Sequence, residues 1–553
     1  MAIGSNARAI MIGVAVLVVI GITAFVAIAM AENAPPPTPP AAAGKFFKPQ
    51  ESQTTGSVTV NGGIVNYTAV AGTLVVHPKG WDDVKPSEDD KNKDKDKNEN
   101  SENPSAEAQM FYVAYFKRDV APGSRPITFL YNGGPGSSTV WLHMGAFGPR
   151  RVVTADDSHT PAAPYSLINN NESLLDASDL VFVDAPGTGF SRIAGGKDKD
   201  EREKAFFGMD ADAYAFSQFI MEFLSRWQRW NSPKYLFGES YGTPRSAIVV
   251  NELETDNDID FNGVILLSQI LNFDLSPDGP DTNPGVDLPY VLALPTYAAT
   301  AWYHKKLPGQ EQRDLASFVH EVERFATTDY YHALEAGAGL SEANRNAIAQ
   351  KLHGYTGLPV SYILKADLRI DGGEFEKNLQ DSNNLTTGRL DTRFSGPSLD
   401  PLSKEAEYDP QAAAISSAYV SAFNDYVRNQ LKFGQDQHYK PELDVFRAWD
   451  FKHQQPGMRE ALQTSPNVMP DLATAMKYNP QLKIQLNGGY FDLATPYYEG
   501  WYEMHHLPIP KELQNNIEYR YYASGHMVYA HEQSLKELHD NVADFIRRTD
   551  NVR

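Results

Sequence analysis

The chain has no cysteine in 553 residues. That absence excludes a thiol nucleophile, a thiolate metal site and any disulfide. It says little about compartment, because a chain this long buries a core without covalent staples. An excess of basic residues is missing too. Lys and Arg total 49 against 70 Asp and Glu, a formal net charge of −21. Binding nucleic acid needs a basic face, so no nucleic-acid partner is expected, and the charge reads as a solvated surface. No His-Glu-x-x-His occurs, and pairs such as His505-His506 lack ligand spacing, so no metal site and no cofactor are expected. There is no internal repeat.

What is present is a globular composition, 42% hydrophobic, with a length that allows two to four domains. Arg8 precedes an uncharged apolar run from Ala9 to Ile28, followed by Ala29-Met30-Ala31 as a small-x-small cleavage site. Residues 1–31 read as a signal peptide or an N-terminal membrane anchor. Either reading exports the rest, to a periplasm, to the outside, or tethered to the inner membrane. A Pro/Ala-rich linker follows over 32–56. Strand-like runs begin at Ser57, with Asn61-Gly62-Gly63 as a turn between two of them. Residues 82–108 are dominated by Asp, Glu, Lys, Asn and Ser and read as a disordered charged loop. From Phe111 strands resume and then alternate with helix-like segments. This predicts a mostly parallel sheet with helices on both faces, its first part spanning 57–272. Residues 273–479 are mostly helix-like (Asp314–Thr327, Ser341–Gly354, Asp409–Lys432) and read as an inserted cap. Residues 480–553 restore the sheet and close with an amphipathic helix near Leu535–Arg548.

The chemistry concentrates at Gly238-Glu239-Ser240-Tyr241-Gly242, a Gly-x-Ser-x-Gly directly after a strand-like run and before a helix. Small residues two positions either side of a serine permit the sharp turn that lifts its Oγ clear of the backbone. A serine nucleophile needs a base and a group to orient that base. His526, in Ser524-Gly525-His526, and Asp492, in Gly488-Gly489-Tyr490-Phe491-Asp492, supply both. The order Ser…Asp…His is that of the α/β-hydrolase fold, with the cap filling the long gap between Ser240 and Asp492. Two N–H donors must face the developing oxyanion. Tyr241 follows the nucleophile and offers one. Gly134, in Asn132-Gly133-Gly134-Pro135-Gly136, offers the other. A phosphate loop fits this glycine run poorly, since no Lys-Ser/Thr follows it.

As a set, Asn132-Gly133-Gly134-Pro135-Gly136-Ser137-Ser138, Gly187-Thr188-Gly189-Phe190-Ser191, Gly238-Glu239-Ser240-Tyr241-Gly242, Asp492 and Ser524-Gly525-His526 resemble the serine carboxypeptidases, peptidase S10, in an exported, bacterial-type form. The resemblance runs in order over roughly residues 111–548. It implies an α/β hydrolase with an inserted cap that releases C-terminal residues from peptides through an acyl-enzyme, often best at acid pH. It also implies that Asn132, Gly133 and Glu239 bind substrate, the first and last through the terminal carboxylate. The pattern departs at two places: a second glutamate is Ala146, and a customary tryptophan is Leu130. Arg150, Arg151 and Arg245 are candidates to replace the lost group, with Arg245, on the helix after Ser240, the first choice. The alternatives are an esterase or acyltransferase on the same scaffold, and a non-catalytic surface protein, against which the complete Ser-Asp-His set argues.

Overall fold

The computed structural model describes residues 44–82, 104–309, 313–461 and 466–552. The expected signal or anchor, the first part of the linker (32–43) and most of the charged loop lie outside them. Among the described residues no helix is long and apolar enough to cross a membrane.

Among the described residues fourteen strands form. In chain order they are β1 (Glu51–Val60), β2 (Gly63–Val76), β3 (Glu107–Lys117), β4 (Ile127–Tyr131), β5 (Arg150–Val152), β6 (Leu167–Asn169), β7 (Asp179–Val183), β8 (Arg192–Ala194), β9 (Lys234–Glu239), β10 (Gly263–Leu267), β11 (Leu385–Thr387), β12 (Ser395–Pro397), β13 (Lys483–Gly489) and β14 (Ile517–Tyr522). Ten make the central sheet, in the order β1-β2-β3-β7-β4-β9-β10-β13-β14 with β8 on β3. The first three form an antiparallel meander. Asn61 and Gly62 both take positive φ, 49° and 78°, which is the turn chemistry that joins β1 to β2. The strands β7, β4, β9, β10, β13 and β14 run parallel. Of these, β4, β7 and β10 are buried throughout, as strands covered on both faces must be.

The fold is that of an α/β hydrolase. From β4 the chain crosses to β7 on one side, then returns past β4 to β9 on the other. This topological switch sets the C-terminal ends of β4 and β9 side by side, where open α/β sheets bind ligands. Tyr131 pairs with Gly238, so Asn132 and Glu239 leave the sheet as neighbours.

Two boundaries differ from the sequence reading. The sheet begins at Glu51, inside the expected linker, because the partly covered Ser52, Thr54 and Gly56 alternate with exposed residues along a strand paired to β2. The inserted segment is not one cap. Helices Leu288–Tyr303, Leu315–Phe325, Glu342–Thr356 and Gly372–Asn378 share an apolar cluster of their own, around Tyr297, Phe318, Leu352 and Phe375. Helix Pro410–Asn429 instead packs Ile415, Tyr419, Phe423 and Tyr426 into the main core. Helix Met469–Tyr478 lies against helix Gly242–Asp256 and leads directly into β13, so it is a crossover helix of the sheet itself.

Candidate active site

Ser240 directly follows β9 with a φ of 59°, a conformation that a residue with a Cβ adopts at a cost. The surrounding glycines make the turn possible. A Cβ on Gly238 would stand 2.1 Å from the Gly242 carbonyl oxygen, and one on Gly242 2.9 Å from that of Tyr131. The turn is held at both ends: the Ser240 N–H donates to the Leu267 carbonyl at 3.0 Å, and the Thr243 N–H donates to the Ser240 carbonyl at 2.8 Å.

Asp492 follows β13 and is fully buried. Its Oδ1 accepts from the Ala494 and Thr495 N–H groups at 2.9 and 3.0 Å, and its Oδ2 from the Thr495 hydroxyl at 2.9 Å. The remaining position on Oδ2 takes His526 Nδ1 at 2.9 Å. With the proton on Nδ1, Nε2 is left as the base. Burial pulls the His526 pKa down, but the charge and hydrogen bond of Asp492, with Glu239 adding, outweigh it and raise the pKa above the usual value. The Ser268 hydroxyl donates to the His526 carbonyl at 2.7 Å. Leu267 and Ser268, successive residues at the end of β10, therefore anchor Ser240 on one side and His526 on the other. No hydrogen bond joins Ser240 Oγ to His526 among the described residues. A loose nucleophile–base contact is common before substrate binds.

The turn after β4 lies directly on the elbow. A Cβ on Gly133 would be 2.3 Å from the Tyr241 nitrogen. Gly134 takes a φ of 105°, which only glycine adopts freely. Among the described residues neither the Gly134 nor the Tyr241 N–H meets a protein acceptor. Two unspent donors at this position are what an oxyanion requires.

Glu239 is buried beside them. The Tyr529 hydroxyl donates to both its oxygens, at 3.1 and 2.9 Å. The Asn132 amide bonds it as well, while Asn132 Oδ1 accepts from the Leu142 N–H at 3.1 Å. Burial pushes the Glu239 pKa up to about 7; His526, Tyr529 and Asn132 pull it down, and the charge of Asp492 pushes it further up. A carboxyl raised this far can hold a proton near neutral pH and donate a hydrogen bond to a carboxylate.

Arg245 does not enter the site. It is 1% exposed, with Nε on Asp212 Oδ2 at 2.6 Å, Nη2 on Oδ1 at 3.2 Å and Nη1 on the Asn132 carbonyl at 2.8 Å. Its donors are spent on holding Asn132 from behind, which corrects the expectation that it meets the substrate carboxylate. Asp212 lies 33 residues away in sequence, and no local pattern announces the pair. Ala146 is fully buried and brings no polar side chain, so the second glutamate has no substitute at its own position.

Three contributors have no sequence signal. Tyr529 and Thr495 are a tyrosine and a threonine in unremarkable loops. The third is the stretch 389–392 of the insertion, which braces both halves of the His–Asp pair. Leu493 N–H donates to the Arg389 carbonyl at 3.0 Å, His526 N–H to that of Leu390 at 2.6 Å, and Thr392 N–H to that of Phe491 at 2.9 Å. The Gly525 N–H donates to Asp391 Oδ2 at 3.2 Å. Among the described residues no group of three or more His, Asp or Glu could hold a metal ion.

The family model for serine carboxypeptidases, Peptidase_S10, matches residues 100–274, the stretch that carries Asn132, Glu239 and Ser240. A serine carboxypeptidase of Caenorhabditis elegans, ctsa-3.2, is 27% identical over 32% of this chain and 33% of its own length. Serine carboxypeptidase-like 36 of Arabidopsis thaliana is 28% identical over 31% of this chain and 34% of its own. The chain thus spans about a third of the length of the curated relatives it matches. Among solved structures, an epoxide hydrolase of Aspergillus niger aligns over 80% of this chain and 76% of its own at 14% identity, with a TM-score of 0.28. So loose a superposition adds nothing to the strand order as evidence of fold. Over residues 100–274 the chain is similar to the serine carboxypeptidases, peptidase S10.

Proposed function

We propose that the protein is an exported serine carboxypeptidase that releases C-terminal residues from peptides through an acyl-enzyme on Ser240. The observation that carries this reading is the pairing of two sites on one turn. Successive residues Leu267 and Ser268 hold Ser240 and the Asp492-bonded His526, and Glu239, one residue before Ser240, is held by Asn132 and Tyr529 with its pKa pushed up to about 7. A protonated Glu239 and the Asn132 amide would hold the terminal carboxylate of a peptide while the scissile carbonyl lies over Ser240. His526 Nε2 takes the Ser240 proton as Oγ attacks, and Asp492 stabilises the imidazolium. The N–H groups of Gly134 and Tyr241 hold the oxyanion. His526 gives its proton to the leaving amine, then takes one from the water that frees the acyl product. Export rests on the apolar run Ala9–Ile28 and the cleavage site after it.

An esterase or acyltransferase is the second reading, favoured by Ala146, which leaves the carboxylate clamp one group short. One peptide presented as free acid and as C-terminal amide, at pH 4.5 and 7.5 with Ser240→Ala as control, decides between them by mass spectrometry. Stepwise trimming of the free acid alone is the expected result. No trimming at either pH together with rapid cleavage of simple esters would establish the second reading instead.

A further inference from the structure

Tyr529 has a second face. Its hydroxyl is on Glu239, and the residue also lines a cavity of about 190 Å3 together with Gly145, Arg151, Thr154, Tyr419 and Glu532. Gly145 lets the two tyrosines close over it, since a Cβ there would stand 2.6 Å from Tyr419 Cε1 and 2.8 Å from Tyr529 Cδ2.

Arg151 is the member of this wall that the fold leaves unsatisfied. Its side chain is 12% exposed, and its Nε is buried with no acceptor. Its ion-pair partner is Glu532, from Nη2 at 3.2 Å, and Glu532 is 85% exposed. An exposed partner contributes little against solvent and salt, whereas a buried donor without an acceptor is costly. The other acid on the wall, Asp156, is engaged by Arg393 at 3.1 Å, with His531 3.8 Å away. Nη1 has no protein acceptor among the described residues, so this largely buried guanidinium, one tyrosine removed from Glu239, is suited to an anion that arrives with the substrate.

We propose that this cavity takes the side chain of the residue being released, and that Arg151 selects an acidic one, aspartate or glutamate. The inference rests on the carboxypeptidase reading, since Glu239 and Asn132 on the terminal carboxylate place that same residue's side chain next to Tyr529.

Two readouts keep the inference apart from the reading beneath it. In the Ser240→Ala protein, dissociation constants are measured at about pH 6 for free-acid peptides that differ only in a C-terminal glutamate or glutamine. Glutamate is expected to bind roughly tenfold tighter or more, a charge-assisted hydrogen bond's worth, with the ratio falling to near one when Arg151→Met is added. The kcat/KM ratio for the same peptides in the otherwise wild-type enzyme follows the same rule. Each ratio compares two peptides on one protein, so a loss of stability does not imitate it. Equal binding, binding of neither peptide, or a preference that survives Arg151→Met overturns the assignment. If no peptide is trimmed while the binding ratio holds, the carboxypeptidase reading falls and the anion site stands.

Discussion

Glu239 and His526 lie close enough for the charge of each to set the proton affinity of the other. Burial holds the Glu239 carboxyl up to about 7, the positive imidazole pulls it down, and the negative carboxylate helps raise His526 above its usual value. The signs fix the pH behaviour. Catalysis needs His526 neutral, so kcat falls as pH drops below its pKa. Binding a terminal carboxylate needs Glu239 protonated, so KM rises as pH climbs through about 7. Glu239→Gln keeps a donor and removes the charge. The acid limb of kcat should then move to lower pH, and the rise of KM above pH 7 should disappear. Steady-state pH profiles on one free-acid peptide measure both, and an unmoved acid limb would contradict the coupling. The candidate residues at this scale are legible in the sequence because a nucleophile elbow and a glycine turn are local: their spacing is their geometry. Arg245 was not legible, because whether a helix arginine faces solvent or an aspartate 33 residues away is a matter of packing.

Among the elements, the stretch from 433 to 461 is the least readable. It has no helical or alternating period, yet it crosses the loops around the site. Ser138 N–H donates to the Pro441 carbonyl, Leu443 N–H to that of Gly136, and Lys440 N–H to that of Gly189. Backbone bonds of this kind leave no mark on side-chain pattern. Trp449 Nε1 donates to the Tyr241 hydroxyl at 3.2 Å, and the strap is then pinned by His453, between Asp210 at 2.6 Å and Asp471 at 2.8 Å. Burial works against a charged His453, but the bonds to Asp210 and Asp471 prevail and push its pKa up to about 9. A folded-state pKa above the unfolded value near 6.5 gives stability that is complete below about pH 6.5 and lost as pH rises through 9. In full such a shift is worth about 3 kcal/mol, and burying Asp471, whose carboxyl is itself pushed up by burial, offsets part of it. Wild type should therefore lose about 2 kcal/mol more than His453→Gln between pH 6 and 9.5, read by urea unfolding. Parallel pH dependences in the two proteins would show that the clamp contributes nothing.

At the scale of the molecule, three distant pieces of chain meet at one edge of one sheet. Asp492 lies 252 residues after Ser240, and His526 a further 34. Strand–helix alternation made the parallel sheet legible, and with it the edge where these loops converge. The insertion was legible as helical but not as divided. Whether a helix buries its apolar face in a satellite cluster, as Leu288–Tyr303 does, or in the main core, as Pro410–Asn429 does, is decided by partners that an amphipathic pattern does not name. The insertion also holds the site, through the carbonyls of Arg389 and Leu390. The account thus depends on the whole assembly presenting Ser240, and no other residue, as the nucleophile. Rapid quenching of the enzyme with an activated ester, followed by mass mapping, tests this most directly. The account predicts the acyl mass on the peptide containing Ser240, absent from Ser240→Ala and reduced at least a hundredfold in rate in His526→Ala. Turnover without acyl on that peptide, or acyl on another residue, would contradict it.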